Sequence, residues 1–149
     1  MYRLADVVTL KLHGVRDRGV PNLERVVLRA WEYTPVDLGR FFLTLGWQSP
    51  DGTGAVPFDT VLWLGEIQIQ PNQWLFVYTG PGSTRTSTTK AGENLYVLHW
   101  NRPTVIFSPE NAVPILLQAD AIAVNQSPLY ILQDAPGAFP ALPTGDSKK

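Results

Sequence analysis

The chain has 149 residues, 44% apolar and 17% charged, a balance that excludes a disordered polyelectrolyte and suits one domain with its own core. Its formal net charge of −1 gives the chain as a whole no electrostatic reason to seek nucleic acid. It contains no cysteine, which excludes disulfide frameworks, zinc ribbons, thiol redox chemistry and cysteine nucleophiles.

Thirteen prolines and twelve glycines are spread along the length and separate short runs rich in Val, Ile, Leu and aromatic residues, the punctuation of strands and turns. Val8, Leu10 and Leu12 alternate with Thr9, Lys11 and His13, which predicts a strand with one aliphatic face. After a polar turn at Asp17-Arg18-Gly19 and Pro21-Asn22, Val26, Leu28 and Ala30 alternate with Arg25, Val27, Arg29 and Trp31 and complete a hairpin. Phe41, Leu43, Leu45 and Trp47 keep the period of two until the turn residues from Ser49 to Gly54 end it. Val61, Trp63, Ile67 and Ile69 predict one long strand with Gly65 as a bulge. Trp74, Phe76 and Tyr78 alternate with Leu75 and Val77, so this segment reads as a central strand buried on both faces.

Residues 80–92 are mostly glycine and hydroxyl residues with two cations, and read as a mobile loop. Strand character returns at Leu95 to Trp100, Thr104 to Phe107 and Ile115 to Val124, with a short strand at Leu129 to Leu132. No long window keeps helical spacing without a proline, and no repeat of 20–50 residues is present. About eight short strands without a helix predict an all-β fold, an antiparallel β-sandwich of two packed sheets or a barrel. Residues 1–133 are expected to form that single domain, and residues 134–149 a proline-rich extended or disordered tail.

The N-terminal residues lack the uninterrupted apolar block of a secretory signal, and no run of 18 apolar residues exists, so a soluble intracellular protein without a membrane partner is expected. His13 and His99 lie far apart, with no His-x-x-x-His spacing, and neither a metal nor a cofactor is expected. In the glycine-containing loop Lys90 follows Thr89 and no helix follows, so the loop is not a phosphate-cradling P-loop. No Gly-x-Ser-x-Gly elbow is present, and no spacing singles out two of Glu66, Glu93, Asp120 and Asp134 as a hydrolytic pair. Asp120 interrupts an apolar run and is assigned a structural role at a strand edge or bulge. A non-enzymatic chain follows.

Binding is the remaining class. Arg16, Arg18, Arg25 and Arg29 all fall on the first predicted hairpin, where a basic patch would suit phosphate or an acidic partner. Trp31 continues the half-polar face of Arg25, Val27 and Arg29, and stands apart from the four other tryptophans, which suit core packing. The candidate binding residues are therefore Arg16, Arg18, Arg29, Trp31, Arg85 and Lys90. They predict a macromolecular partner, protein ahead of DNA or glycan, and an exposed edge strand would make a homo-oligomer easy to form. The alternative is a carbohydrate-binding module that stacks sugar rings on exposed tryptophans.

Four segments carry a family likeness. Glu24-Arg25-Val26-Val27-Leu28-Arg29-Ala30, followed by Thr34-Pro35-Val36-Asp37-Leu38-Gly39-Arg40-Phe41-Phe42-Leu43, resembles the lamin tail domain, where a strand precedes an Asp-Leu-small-x-aromatic-x-Leu segment. Ile69-Gln70-Pro71-Asn72-Gln73-Trp74-Leu75-Phe76-Val77-Tyr78 is similar to that family's turn and hydrophobic strand, and Asp120-Ala121-Ile122-Ala123-Val124 to a later strand. The chain departs from the family pattern at Gly39-Arg40 and at Pro71-Asn72. The resemblance implies an immunoglobulin-like sandwich and an interaction role toward protein or DNA, and brings no catalytic residue.

Overall fold

The computed structural model describes residues 2–3, 9–121 and 123; the short strand expected at Leu129 to Leu132 and the tail expected at 134–149 lie outside them. Eleven strands are present among the described residues: β1 (Tyr2–Arg3), β2 (Leu10–Arg16), β3 (Arg25–Ala30), β4 (Val36–Asp37), β5 (Phe41–Gln48), β6 (Gly54–Trp63), β7 (Gln68–Ile69), β8 (Trp74–Tyr78), β9 (Arg85–Thr88), β10 (Asn94–His99) and β11 (Ala112–Gln118). One sheet has the order β1-β6-β5-β11, the other β2-β3-β8-β10-β9, and β4 and β7 form a small ribbon. The chain is an all-β protein, and its two sheets share one core.

That core follows from the period-two patterning. Leu10, Val26, Leu28, Leu75, Val77 and Tyr96 point inward from the five-stranded sheet, and Phe41, Leu43, Leu45 and Ala112 from the four-stranded one. Val36, Leu38, Leu64 and Ile69 close the core beside the ribbon. Each such Val, Leu, Ile or Phe side chain, taken out of water, contributes about 1.5–3 kcal/mol. The turn into β5 is set by Asp37, whose carboxylate accepts the Gly39 N–H at 2.9 Å and so caps a single 3-10 turn that buries Leu38.

Five local expectations are corrected. Glycine at position 65, with φ of +99°, ends a strand rather than bulging it: β6 stops at Trp63, and Ile69 belongs to the ribbon. The 80–92 segment contains a strand, β9, paired antiparallel with β10; its Arg, Thr and Ser side chains are all exposed, so only backbone hydrogen bonds reveal it. Thr104 to Phe107 is not a strand. The strand expected over Ile115 to Val124 begins earlier, at Ala112, and runs to Gln118 on the sheet edge, where Pro114 is tolerated; Ile122 and Val124 lie outside the described residues. The five-stranded sheet is mixed, because β8 and β10 run parallel while every other pair is antiparallel.

The parallel pair has a geometric consequence. To place β9 outside β10, residues 79–84 cross over the end of β10, tied down by Asn101 N–H to the Gly80 carbonyl (3.3 Å) and Arg102 N–H to that of Thr79 (2.7 Å). Where the chain crosses, Gly82 lies so close to the His99 ring that a Cβ there would overlap it.

The 104–112 loop is held by two charged side chains. Glu24, 1% exposed, accepts the N–H of Gly19 (2.7 Å), the Thr79 hydroxyl (3.0 Å), the N–H of Ile106 (2.9 Å) and, shared between both oxygens, the N–H of Phe107 (3.3 Å). Arg18 donates to the carbonyls of Phe107 (2.9 Å) and Ala112 (2.8 Å). These bonds explain why Phe107 is buried without belonging to a strand.

Candidate binding site

The outward face of the five-stranded sheet is built by register. Across β3, β8 and β10 it carries three rows: Arg29, Trp74 and Leu95; Val27, Phe76 and Val97; Arg25, Tyr78 and His99. Lys11 and Arg16 on β2 extend the first and third rows beyond β3, and Arg85 on β9 extends the middle row beyond β10.

Guanidinium groups lie on the aromatic rings. Arg29 sits 4.4 Å over Trp74, and Arg25 sits 5.1 Å over Phe76 and 5.7 Å from the Tyr78 ring centre. Each arginine is also fixed by a carboxylate: Arg25 by Asp17 at 2.6 Å and Arg29 by Glu93 at 2.8 Å, while the Trp74 indole N–H donates to the same Glu93 at 3.1 Å. His99 stacks on Tyr78 at 5.4 Å. Its Nδ1 faces the Gly80 carbonyl (3.2 Å) and its Nε2 the Arg85 guanidinium (3.3 Å). A carbonyl only accepts and a guanidinium only donates, so these partners suit the tautomer that carries its proton on Nδ1.

His13 reaches this face through a bulge. Leu12 pairs with Leu28 and Gly14 with Val27, so His13 is the extra residue on β2, accommodated by Gly14 at φ +116°. The inserted residue changes the parity of the strand: Leu10, Leu12 and Val15 all face the core, and His13 comes to 5.2 Å from Trp74. Burial, followed by the charges of Lys11, Arg29 and Arg16, holds the His13 imidazole below its usual 6.5.

An open pocket of about 290 Å³ is cut into this face. Val27, Trp74 and Phe76 form its floor, His13, Arg16 and Arg25 its β2–β3 side, and Thr89, Lys90, Ala91 and Glu93 the opposite side. The turn of the second side is held by Thr89, whose hydroxyl accepts the Glu93 N–H at 3.1 Å, and by Gly92 at φ +82°. Lys11, Arg16 and Lys90 have no carboxylate partner among the described residues.

Of the residues named from sequence, Arg16 and Lys90 line this pocket, Arg29 is tied to its lining residue Glu93, and Arg85 lies on the same sheet face. Arg18 is turned away from it and occupied by backbone carbonyls. Trp31 lies one residue beyond β3, where it packs edge-on against Tyr33 at 4.9 Å and is 40% exposed. Sequence reading missed Trp74, Phe76, Tyr78 and His13. The signal was present: Arg25, Val27 and Arg29 mark the polar face of β3, and the strand paired to it must present its aromatic half on the same side.

The other tryptophans do not form a stacking row. Trp100 is buried, Trp47 packs against the core, and Trp63 lies on β6 with its indole N–H donating to the Gly39 carbonyl at 2.9 Å. Glu93 binds Arg29, whereas Asp120, fully outside β11, ion-pairs with Arg40 at 3.1 Å, so these two carboxylates are not brought together. Among the described residues no group of three His, Asp or Glu side chains is placed to hold a metal ion, and no helix is long and apolar enough to cross a membrane. No protein-family model matches the chain, and no curated protein and no solved structure gives a significant match.

Proposed function

We propose that the chain is a non-enzymatic binding module that holds an acidic protein partner on the outward face of its five-stranded sheet. The observation that carries this reading is the arginine-capped aromatic row beside Lys11, Arg16 and Lys90, three cations without a carboxylate partner among the described residues. Arginines laid flat on rings and tethered by Asp17 and Glu93 lose little freedom when a partner docks, which favours affinity through preorganisation. The same capping favours protein over nucleic acid: a base cannot stack on Trp74 or Phe76 without lifting a guanidinium off the ring. The resemblance of Leu23 to Thr79 to the lamin tail domain supports the interaction role, and we extend it to an immunoglobulin-like arrangement of the sandwich.

Affinity capture with the tagged chain, with and without nuclease and at two salt concentrations, tests the partner class. A defined acidic protein retained through nuclease and released as salt rises is expected. Capture that vanishes with nuclease replaces protein with nucleic acid as the partner. Capture unaffected by salt contradicts an electrostatic face.

A further inference from the structure

We propose that the pocket between β2, β8 and the Thr89–Glu93 turn takes a phosphate monoester dianion, presented by the partner as a phosphorylated side chain. This inference rests on the binding-module reading and narrows it to one ligand chemistry.

Charge matching is the first ground. Of the cations that line the pocket, Arg25 is neutralised by Asp17, and Arg29 beside it by Glu93. Arg16 and Lys90, on opposite sides of the pocket, are left without a counter-charge among the described residues. A carboxylate balances one of them; a phosphate monoester, with a charge of about −1.5 to −2 at neutral pH, balances both. Its three oxygens also exceed what one carboxylate offers to two facing cations and an imidazole.

Size and lining are the second. The pocket of about 290 Å³ is open and larger than a single anionic head group. Its floor of Val27, Trp74 and Phe76 is apolar, so the carrier of the phosphate is expected to contribute an apolar or aromatic stem. His13 gives the third. The groups facing it are Lys11, Arg16 and Arg29 from β2 and β3, Trp74 from β8, and Arg25, Lys90 and Glu93 around the pocket; burial first, and then the charges of Lys11, Arg29 and Arg16, hold its proton off. A bound dianion offsets those cations and shifts the His13 value upward, favouring the protonated ring as a further donor.

The test is a titration of the isotope-labelled full chain, followed by NMR at the Trp74 indole N–H and the His13 ring. The probes are phenyl phosphate, inorganic phosphate, benzoate and adenosine 5′-monophosphate. At about pH 7.5, where the phosphate monoester is a dianion, phenyl phosphate is expected to bind about tenfold tighter than benzoate, with inorganic phosphate weaker than phenyl phosphate. Arg16→Gln or Lys90→Gln is expected to weaken phenyl phosphate about fivefold or more while leaving the rest of the spectrum in place. The imidazole of His13 is expected to titrate at higher pH in the complex than in the free chain. Benzoate binding as tightly as phenyl phosphate overturns the dianion but leaves the acidic-partner reading standing. Tighter binding of adenosine 5′-monophosphate than of phenyl phosphate overturns the phosphorylated side chain in favour of a nucleotide. No saturable change at Trp74 or His13 with any probe overturns the pocket itself, whereas the binding-module reading stands or falls on partner capture.

Discussion

Glu24 ties together three segments that share no strand: the turn before β3, the end of β8 at Thr79 and the loop at Ile106 and Phe107. Replacing one carboxylate oxygen with an NH₂ group, as in Glu24→Gln, points a donor at backbone N–H groups and leaves some of them unmatched. The variant is expected to lose on the order of 2–4 kcal/mol of stability, read as a lower urea midpoint, because buried donors without acceptors cost about 1–3 kcal/mol each. An unchanged midpoint would mean that water takes over these bonds. Nothing in the sequence separated this role from that of a solvated turn acid, just as nothing separated Arg18 from Arg16. Both arginines sit in the same basic hairpin, and only the position of the 104–112 loop decides that Arg18 binds carbonyls while Arg16 faces the pocket.

His13 makes the face sensitive to pH. Its folded-state value lies below the unfolded 6.5, so as pH falls the unfolded chain takes up the proton first. The stability tied to neutral His13 is whole above pH 6.5 and is lost as pH falls toward and through the lowered folded value. Between neutral and mildly acid pH the wild-type chain is therefore expected to lose more stability than His13→Gln, compared by urea denaturation at each pH. Parallel losses in the two proteins would remove His13 as the cause.

At the scale of the strand, the bulge in β2 decides which side chains reach the pocket. Gly14 holds φ of +116°, a conformation that a side chain strains, although no atom stands within 4 Å of the space a Cβ would take. Gly14→Ala is expected to cost about 1–3 kcal/mol through backbone strain alone and to move the His13 ring relative to Trp74, seen as changed ring-current shifts. A variant as stable as wild type, with unaltered His13 signals, would show that the bulge does not depend on glycine.

The strands were legible where alternation coincided with burial. β3 and β5 read directly from Val26, Leu28 and Ala30 and from Phe41, Leu43 and Leu45, because those residues are the core. β9 was illegible because Arg85, Thr86, Ser87 and Thr88 bury nothing. β8 was read as central, which its place in the sheet order bears out, but its aromatic half is covered by arginine side chains from β3 rather than by a second apolar layer. Hydropathy gives the same signal for both kinds of cover. The bulge escaped for another reason: His13-Gly14 breaks the alternation of β2 by one residue, and only the register with β3 shows which residue is extra.

Over the whole molecule the two outward faces differ in character. The four-stranded sheet exposes Val61, Trp63 and Leu117, whereas the five-stranded sheet carries Lys11, Arg16, Arg25, Arg29 and Arg85, with Lys90 at the rim of its pocket. A net charge of −1 conceals that segregation, since acids such as Glu66, Glu110 and Asp120 lie outside the arginine rows. Sequence arithmetic averages over faces, and binding does not. The fold class was therefore accessible from punctuation and alternation, while the site depended on pairings between β2, β3 and β8 and on the turn that carries Lys90.

The most direct test of the cationic, aromatic face compares two variants in the same capture and thermal denaturation experiment: Arg16→Glu combined with Lys90→Glu, and Trp31→Ala. Both exposed cations tolerate replacement without loss of a described ion pair, so wild-type melting is expected for the double variant. Its partner capture is expected to fall by about tenfold or more, as reversing two charges at a docking face costs several kcal/mol, while Trp31→Ala captures nearly as well as wild type. Undiminished capture by the double variant, together with loss on Trp31→Ala, would contradict the account and move the binding site to the turn that Trp31 shares with Tyr33.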